Sequence, residues 1–428
     1  MNKPTEKGLV PELRFPEFKN DEEWKIKELS GKDVAIFVKD REPLDQLKLN
    51  SYVSTENLLA DYAGVAKASK LPPSGSFTSY KPNDVLISNI RPYLKKVWCA
   101  DKVGAASNDV IVIRPSAKVS AAYMLHTLKN DEFINFVMKG AKGVKMPRGD
   151  IASIKAYPVA LPRLLEQQKI ADCLSSHDEL VSANSQKLDA LKAHKKGLMQ
   201  QLFPAEGETI PKLRFPEFEK DNDWVEQKFG NITNFASGGT PSKNRSDYWD
   251  GEIPWISAAS MHDILIESSD RNITKIAVED GAKLVSKGTL LLLVRGSMLH
   301  KRIPIGITQC EVAFNQDVKA LMLKKKIHTP FLLYLLIACE MRLLSAVTKT
   351  GIGAGKLDTN DLQDFLICIP RRNKEQKKIA DCLSKLDELI TAQSQKIDVL
   401  KTHKKGLMQQ LFPSIDEVHM GTKAEVSA

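Results

Sequence analysis

Two lysines bracket three alternate glycines in the stretch KTGIGAGK at Lys349–Lys356. A phosphate-cradling P-loop needs a glycine, four residues and then Gly-Lys-Ser/Thr, because backbone N–H groups, the lysine and the hydroxyl each hold part of a nucleotide. Here Thr350 stands at the first position and Leu357 at the last, and the loop follows a helical pattern rather than a strand. Nucleotide binding is therefore not expected. A basic glycine loop that lets backbone approach a DNA phosphate is one reading, and a plain turn after a helix is the other. Lys139–Pro147, KGAKGVKMP, has the same character and supplies Lys142 and Lys145, with Arg148 just beyond.

Other polar clusters suit groove contacts. Thr240, Ser242, Lys243, Asn244 and Arg245 follow a Gly-Gly pair, with Tyr248 close behind as either a core or a contact residue. Trp255 reads as core. Arg295–Gly296 and His300–Lys301–Arg302 come after an apolar run, as do Asn89, Arg91, Lys95 and Lys96 earlier in the chain. An arginine at such a point has the fork to take guanine bidentately, although phosphate contact is the commoner use. SNDV, with Ser107 and Asn108, and NQDV at Asn315–Val318 stand at matching places, each before a strand pattern.

Catalytic constellations do not appear. There is no HExxH, no GxSxG, no GxGxxG after a strand, no Asn-Pro-Pro-Phe/Tyr motif and no metal-ligand spacing. The six cysteines are scattered without a CxxC pair, so neither zinc nor a disulfide framework is expected. The N-terminus lacks an apolar signal region and no apolar run is long enough to span a bilayer, so the cytoplasm is the expected location.

The elements that carry these residues occur in duplicate. Glu166–Pro204 and Glu375–Pro413 align without gaps and differ at nine of 39 positions. PELRFPEF at Pro11–Phe18 returns as PKLRFPEF at Pro211–Phe218. Both long copies lack internal proline and are built of good helix formers. In the second, Ile379, Leu383, Leu386, Ile390, Ile397, Leu400, Leu407 and Leu411 follow an a/d heptad spacing, with Gln393 and Lys404 filling the gaps. The first copy has the same seam, with His177 and Asn184 as polar members that set register. Each helix reaches roughly 55–60 Å at ~1.5 Å per residue. The two seams should pair antiparallel and hold two domains at opposite ends of a rod with a pseudo-two-fold axis.

The domain bodies follow one order of elements with low mutual identity. In the first, strands are expected at Asn50–Ser54, Asp84–Ile90, Val97–Cys99 and Val110–Arg114, a helix at Ala121–Lys139 and a closing strand at Ala156–Leu161. In the second, strands are expected at Pro254–Ser257, Thr289–Arg295, Ile305–Thr308 and Val318–Leu323, a helix at Pro330–Val347 and a closing strand at Phe365–Ile369. The expected segments are a lead-in at 1–23, a domain at 24–163, a helix at 164–204, a linker at 205–223, a domain at 224–371, a helix at 372–413 and a tail at 414–428. The apolar residues of the repeated lead-in should pin it to a domain or a helix end.

Charge follows this division. The chain of 428 residues carries +9 overall, yet residues 24–165 alone hold +9 (22 basic, 13 acidic) and residues 224–374 hold +5 (20 basic, 15 acidic). Positive domains spaced by a rod suit a long polyanion. A mildly basic solvated surface is the plainer reading.

The paired EQ(K/Q)KIADCLS…KKGLMQQLFP helices, the Trp24- and Trp224-initiated domains, DVLISNIRPYLKKVW…SNDVIVIRP and GGTPS…YWDGEIPWIS together resemble the specificity subunit of a Type I restriction-modification system. The resemblance covers nearly the whole chain. It implies an α+β fold in which two mixed α/β target recognition domains are separated by a long antiparallel two-helix coiled coil. It implies a non-catalytic DNA-binding chain that assembles with two modification subunits and with restriction (motor-nuclease) subunits. S-adenosylmethionine, ATP and Mg would sit on those partners, with no cofactor on this chain. Divergent heads on duplicated helices imply a bipartite, asymmetric double-stranded DNA site. The alternative is a coiled-coil scaffold with two basic protein-binding heads.

Overall fold

The computed structural model describes residues 9–349 and 353–414. The first part of the lead-in, residues 350–352 of the glycine loop, and nearly all of the tail lie outside the described residues. The chain divides into two compact units, residues 1–185 with 395–428, and residues 186–394.

In the first unit, Lys25–Glu28 pairs antiparallel with the closing strand Pro158–Leu161, so the two ends of the domain body meet. A four-stranded antiparallel sheet runs in the order Ala35–Phe37, Val110–Pro115, Val85–Ser88, Val97–Cys99. Every residue of Val85–Ser88 is buried, which is why this strand reads as a continuous apolar run rather than an alternating one. A second sheet runs Arg41–Pro43, Ser76–Tyr80, Gly104–Ala106, Tyr52–Val53, its last pair parallel. The single helix expected over Ala121–Lys139 is two helices, Ala121–Leu128 and Asp131–Lys139. Asn130 breaks it. Its backbone is extended (φ −70°, ψ 140°) and its side chain accepts from Glu132 N–H, an N-cap that outcompetes helix continuation.

In the second unit, Val225–Lys228 pairs with Leu366–Ile369 in the same antiparallel way. A five-stranded sheet runs Thr233–Ser237, Val318–Leu323, Leu290–Leu293, Ile305–Thr308, Leu265–Ile266. A four-stranded sheet runs Asn272–Ile273, Trp249–Ile256, Val312–Phe314, Leu284–Val285. The expected strand at Pro254–Ser257 is the end of the longer Trp249–Ile256. The helix expected over Pro330–Val347 is again two, Thr329–Ala338 and Glu340–Ser345, parting at Cys339. The described residues on both sides of the glycine loop pair with a third strand: Arg295–Gly296, Gly355–Lys356 and Thr348–Lys349 form a small three-stranded sheet in that order.

The two long helices are Leu164–Leu202 and Asn373–Leu411. Within the first unit, Ile170 and Leu174 share a core with Leu407 and Leu411, and Asp178 takes the Lys404 ammonium. Within the second, Leu198 and Leu202 share a core with Ile379 and Leu383, and Lys195 reaches Asp387 at 2.6 Å. In each unit residue number rises along one helix as it falls along the other. The polar seam members Asn184 and Gln393 are buried.

Apolar residues alone do not hold the lead-in. Arg14 makes a bidentate pair with Glu166 at 2.8 Å through Nε and Nη2, and its guanidinium also donates to the carbonyls of Asp21 and Glu22 at 3.0 Å. Trp24 Nε1 donates to the same carboxylate at 3.3 Å. The second unit repeats this with Arg214, Glu375, the carbonyls of Asp221 and Asn222, and Trp224. Both glutamates are 1% exposed at the side chain, so each charge is buried with its partners satisfied.

Candidate nucleic-acid interface

The sequence candidates of the first unit gather through a chain of backbone hydrogen bonds. Asn89 N–H donates to Asp109 C=O at 2.8 Å, and Gly149 N–H donates to Asn89 C=O at 3.0 Å. This joins the end of Val85–Ser88, the SNDV turn and the basic loop. Arg148 then bridges both Ile90 and Lys142, and Arg91 N–H donates to Pro147 C=O. Gly149 is required at this crossing, because a Cβ there would lie 2.9 Å from both Asn89 Oδ1 and a Val137 methyl. Arg91 and Lys95 are both left-handed (φ 51° and 54°) and bracket the short turn Pro92–Leu94.

Arg91, Asn108, Lys142, Lys145 and Arg148 are exposed, and Ser107 is half-buried. Arg148 pairs with Asp109 at 2.6 Å, with its side chain 59% exposed. Such an exposed pair is worth little, so the guanidinium can exchange its partner for a phosphate. Two candidates are occupied internally and a third is buried. Lys95 is tied to Asp131 at 2.7 Å, and Lys96 donates to the Thr55 carbonyl at 2.5 Å. Burial, then the nearby Arg91, lowers the Lys96 pKa. Asn89 is buried.

The second unit repeats the relay with different side chains. Val294 N–H donates to Asp317 C=O and Leu357 N–H donates to Val294 C=O, both at 2.8 Å. Val294 therefore stands where Asn89 does, and Arg295 opposite Lys356 stands where Ile90 does opposite Arg148. Gly355 is required here, since a Cβ would lie 2.8 Å from the Leu299 side chain. Lys356 pairs with Asp358 at 2.7 Å, which lowers the Asp358 pKa. His300 Nε2 meets the Gly353 carbonyl at 2.9 Å, and Lys349 and Lys301 are exposed. Thr240 joins this face through Gln316 at 2.9 Å.

The Ser242–Tyr248 segment is anchored to the other sheet. Trp249 Nε1 donates to Ser242 C=O, and Trp255 Nε1 donates to Gly239 C=O, which places both indoles in core. Arg245 lies 4.4 Å over the Tyr248 ring and is bidentate to Asp247, while Tyr248 donates to Asp280 at 2.6 Å. Lys243 and Asn244 are exposed. Arg302 donates to the carbonyls of Met261 and His262 and so braces the fold.

Sequence reading missed two things here. Val144 and Met146 are fully and half exposed at the tip of the basic loop, although both are apolar. Arg271 lies 3.9 Å over the Trp249 ring and carries no motif that would have flagged it. Among the described residues no group of three or more His, Cys, Asp or Glu is placed to hold a metal ion, and no helix is long and apolar enough to cross a membrane.

The duplicated geometry has a family counterpart. The model of the Type I restriction modification DNA specificity domain matches residues 22–193 and 221–402. The chain belongs to the Type I restriction-modification specificity family. It is 34% identical over 173 residues to the specificity subunit of the Type I restriction enzyme EcoR124I/EcoR124II of Escherichia coli, which covers 40% of this chain and 42% of that one. It is 22% identical over 404 residues to the MjaVIII specificity subunit of Methanocaldococcus jannaschii, covering 90% of each. The alignment with the E. coli relative thus spans well under half of that protein. Two solved structures share the fold. One comes from work on complex assembly and conformational transition of the type I R-M system (TM-score 0.59, 17% identity, 91% of this chain and 98% of that one). The other is the S subunit from M. genitalium (TM-score 0.57, 15% identity, 95% of this chain and 100% of that one). As a member of this specificity family the chain carries two target recognition domains, and DNA is the ligand the family implies.

Proposed function

We propose that the chain is a non-catalytic subunit that reads a bipartite, asymmetric double-stranded DNA site. Residues 24–163 read one half and residues 224–371 the other. The helices pair antiparallel along their length about a pseudo-two-fold axis and so fix the unread spacer. The observation that carries this reading is the duplicated relay. The same backbone bonds hold Ile90, Arg91 and Arg148 in one head and Arg295, Gly296 and Lys356 in the other. One spine presenting different side chains is what two different half-sites require, since backbone contacts position and side chains at base edges specify. The net positive charge of both domain bodies supports a polyanionic partner over a protein one. Two modification subunits and the restriction subunits dock on the polar helix faces. They bring S-adenosylmethionine, ATP and Mg, and adenine methylation or cleavage follows in the cytoplasm.

Methylome sequencing of cells with and without this chain, both expressing its modification subunit, tests the proposal. A two-part adenine motif should appear only with the chain. An active modification subunit with no chain-dependent motif would instead favour the scaffold alternative.

A further inference from the structure

The tip of the basic loop in the first unit has a composition that neither solvation nor packing explains. Val144 is 103% exposed and Met146 53% exposed. Leaving two such side chains in water forgoes burial that apolar groups ordinarily gain, all of it at Val144 and about half at Met146. The tip is nevertheless held in place. Gly143 takes φ +94° to turn the chain, Lys142 and Arg148 exchange backbone bonds at 2.9 Å on either side, and Pro147 accepts from Arg91. A projecting apolar tip on a closed hairpin is preorganised to enter something.

The surroundings say what. Lys142, Lys145 and Arg148 ring the tip, and all three are exposed. Arg91 follows across the Pro147 bond, also exposed. An apolar point inside a cationic ring is mismatched to an apolar protein groove, which would leave four ammonium and guanidinium groups to desolvate. It matches duplex DNA, where cations take phosphates and an apolar wedge enters between base pairs.

We infer that Val144 and Met146 form a wedge that inserts between base steps of the half-site read by residues 24–163, unstacking one step while the flanking cations hold the backbone. This rests on the DNA-recognition reading above. The wedge gives specificity without hydrogen bonds, because pyrimidine–purine steps unstack most easily.

The test uses the full chain with its modification subunit and duplexes carrying the motif found by methylome sequencing. 2-Aminopurine is placed in turn at each position of that half-site other than the adenine to be methylated, which a methyltransferase flips out of the stack by itself. One position should brighten on binding. The double variant Val144→Ser/Met146→Ser should lose that signal and bind about tenfold more weakly, roughly the cost of forfeiting one inserted step. Lys145→Ser is the control. It should weaken binding and reduce the salt slope by about 1 while keeping the signal. Val144, Lys145 and Met146 are all exposed, so neither change threatens folding. Unchanged brightening in the double variant, or none in the wild type despite motif preference, overturns the wedge alone. A wild-type protein that does not prefer its motif over scrambled DNA overturns the recognition reading and the wedge with it. Loss of subunit assembly with DNA signals intact would make the tip a protein contact and also overturn the inference.

Discussion

Glu166 and Glu375 each gather an arginine and an indole N–H inside a buried clasp. Removing one member of such a pair leaves the other charged and dry, which typically costs about 3–5 kcal/mol. Glu166→Ala should therefore lower the thermal midpoint clearly. Adding Arg14→Met to it should recover part of the loss, since the pair couples. Equal losses for the single and double variants would mean that the clasp contributes only packing. His126 offers a second check. It is buried, with Nε2 3.1 Å from Ser175 Oγ, and burial, reinforced by Lys404, pushes its pKa down to about 3. A depressed folded pKa means that the unfolded chain binds the proton first. Stability from this group is thus present above about pH 6.5, the unfolded value, and is lost as pH falls toward 3. The same place in the second unit is held by Tyr334, bonded to Ser384 at 3.2 Å. His126→Tyr should flatten the acid side of a stability-versus-pH curve. An unchanged curve would assign the acid sensitivity to other groups.

At the scale of elements, the sequence made the long helices plain, because a heptad seam sustained over 39 residues admits few other folds. The short helices were harder to read. Asn130 and Cys339 each divide a continuous apolar pattern, and only the cap geometry reveals the break. The strands of the glycine loop were also hidden, since two-residue arms such as Gly355–Lys356 are defined by their partners rather than by periodicity. The candidate contacts were legible as basic clusters after strands. Which of them were already spent was not: Lys95, Lys96 and Arg302 make internal bonds to residues distant in sequence. The clasp had a visible signal, the repeat of Arg14 and Glu166 at Arg214 and Glu375, that apolar pinning overshadowed. At the crossing of the first relay, Gly149→Val should displace Asn89 and the basic loop together. We expect DNA affinity at that half-site to fall at least tenfold in a titration, about 1.4 kcal/mol, while the melting of the long helices barely moves. Wild-type affinity in this variant would remove the relay from the interface.

At the scale of the whole molecule, the proposed function assigns spacing to the duplicated helices and reading to the divergent heads. Deleting seven residues from both helices preserves the seam and shortens each by about 10 Å. The gap between half-sites should shrink while both half-sites stay the same, as methylome sequencing of the variant would show. An unchanged gap would disconnect the helices from spacing. The central claim, that each head reads its own half independently, is tested most directly by replacing residues 24–163 with the corresponding domain of another specificity subunit and sequencing the methylome. The account predicts a new motif in which one half changes and the other half and its gap are kept. A motif that changes in both halves, or in neither, would contradict it.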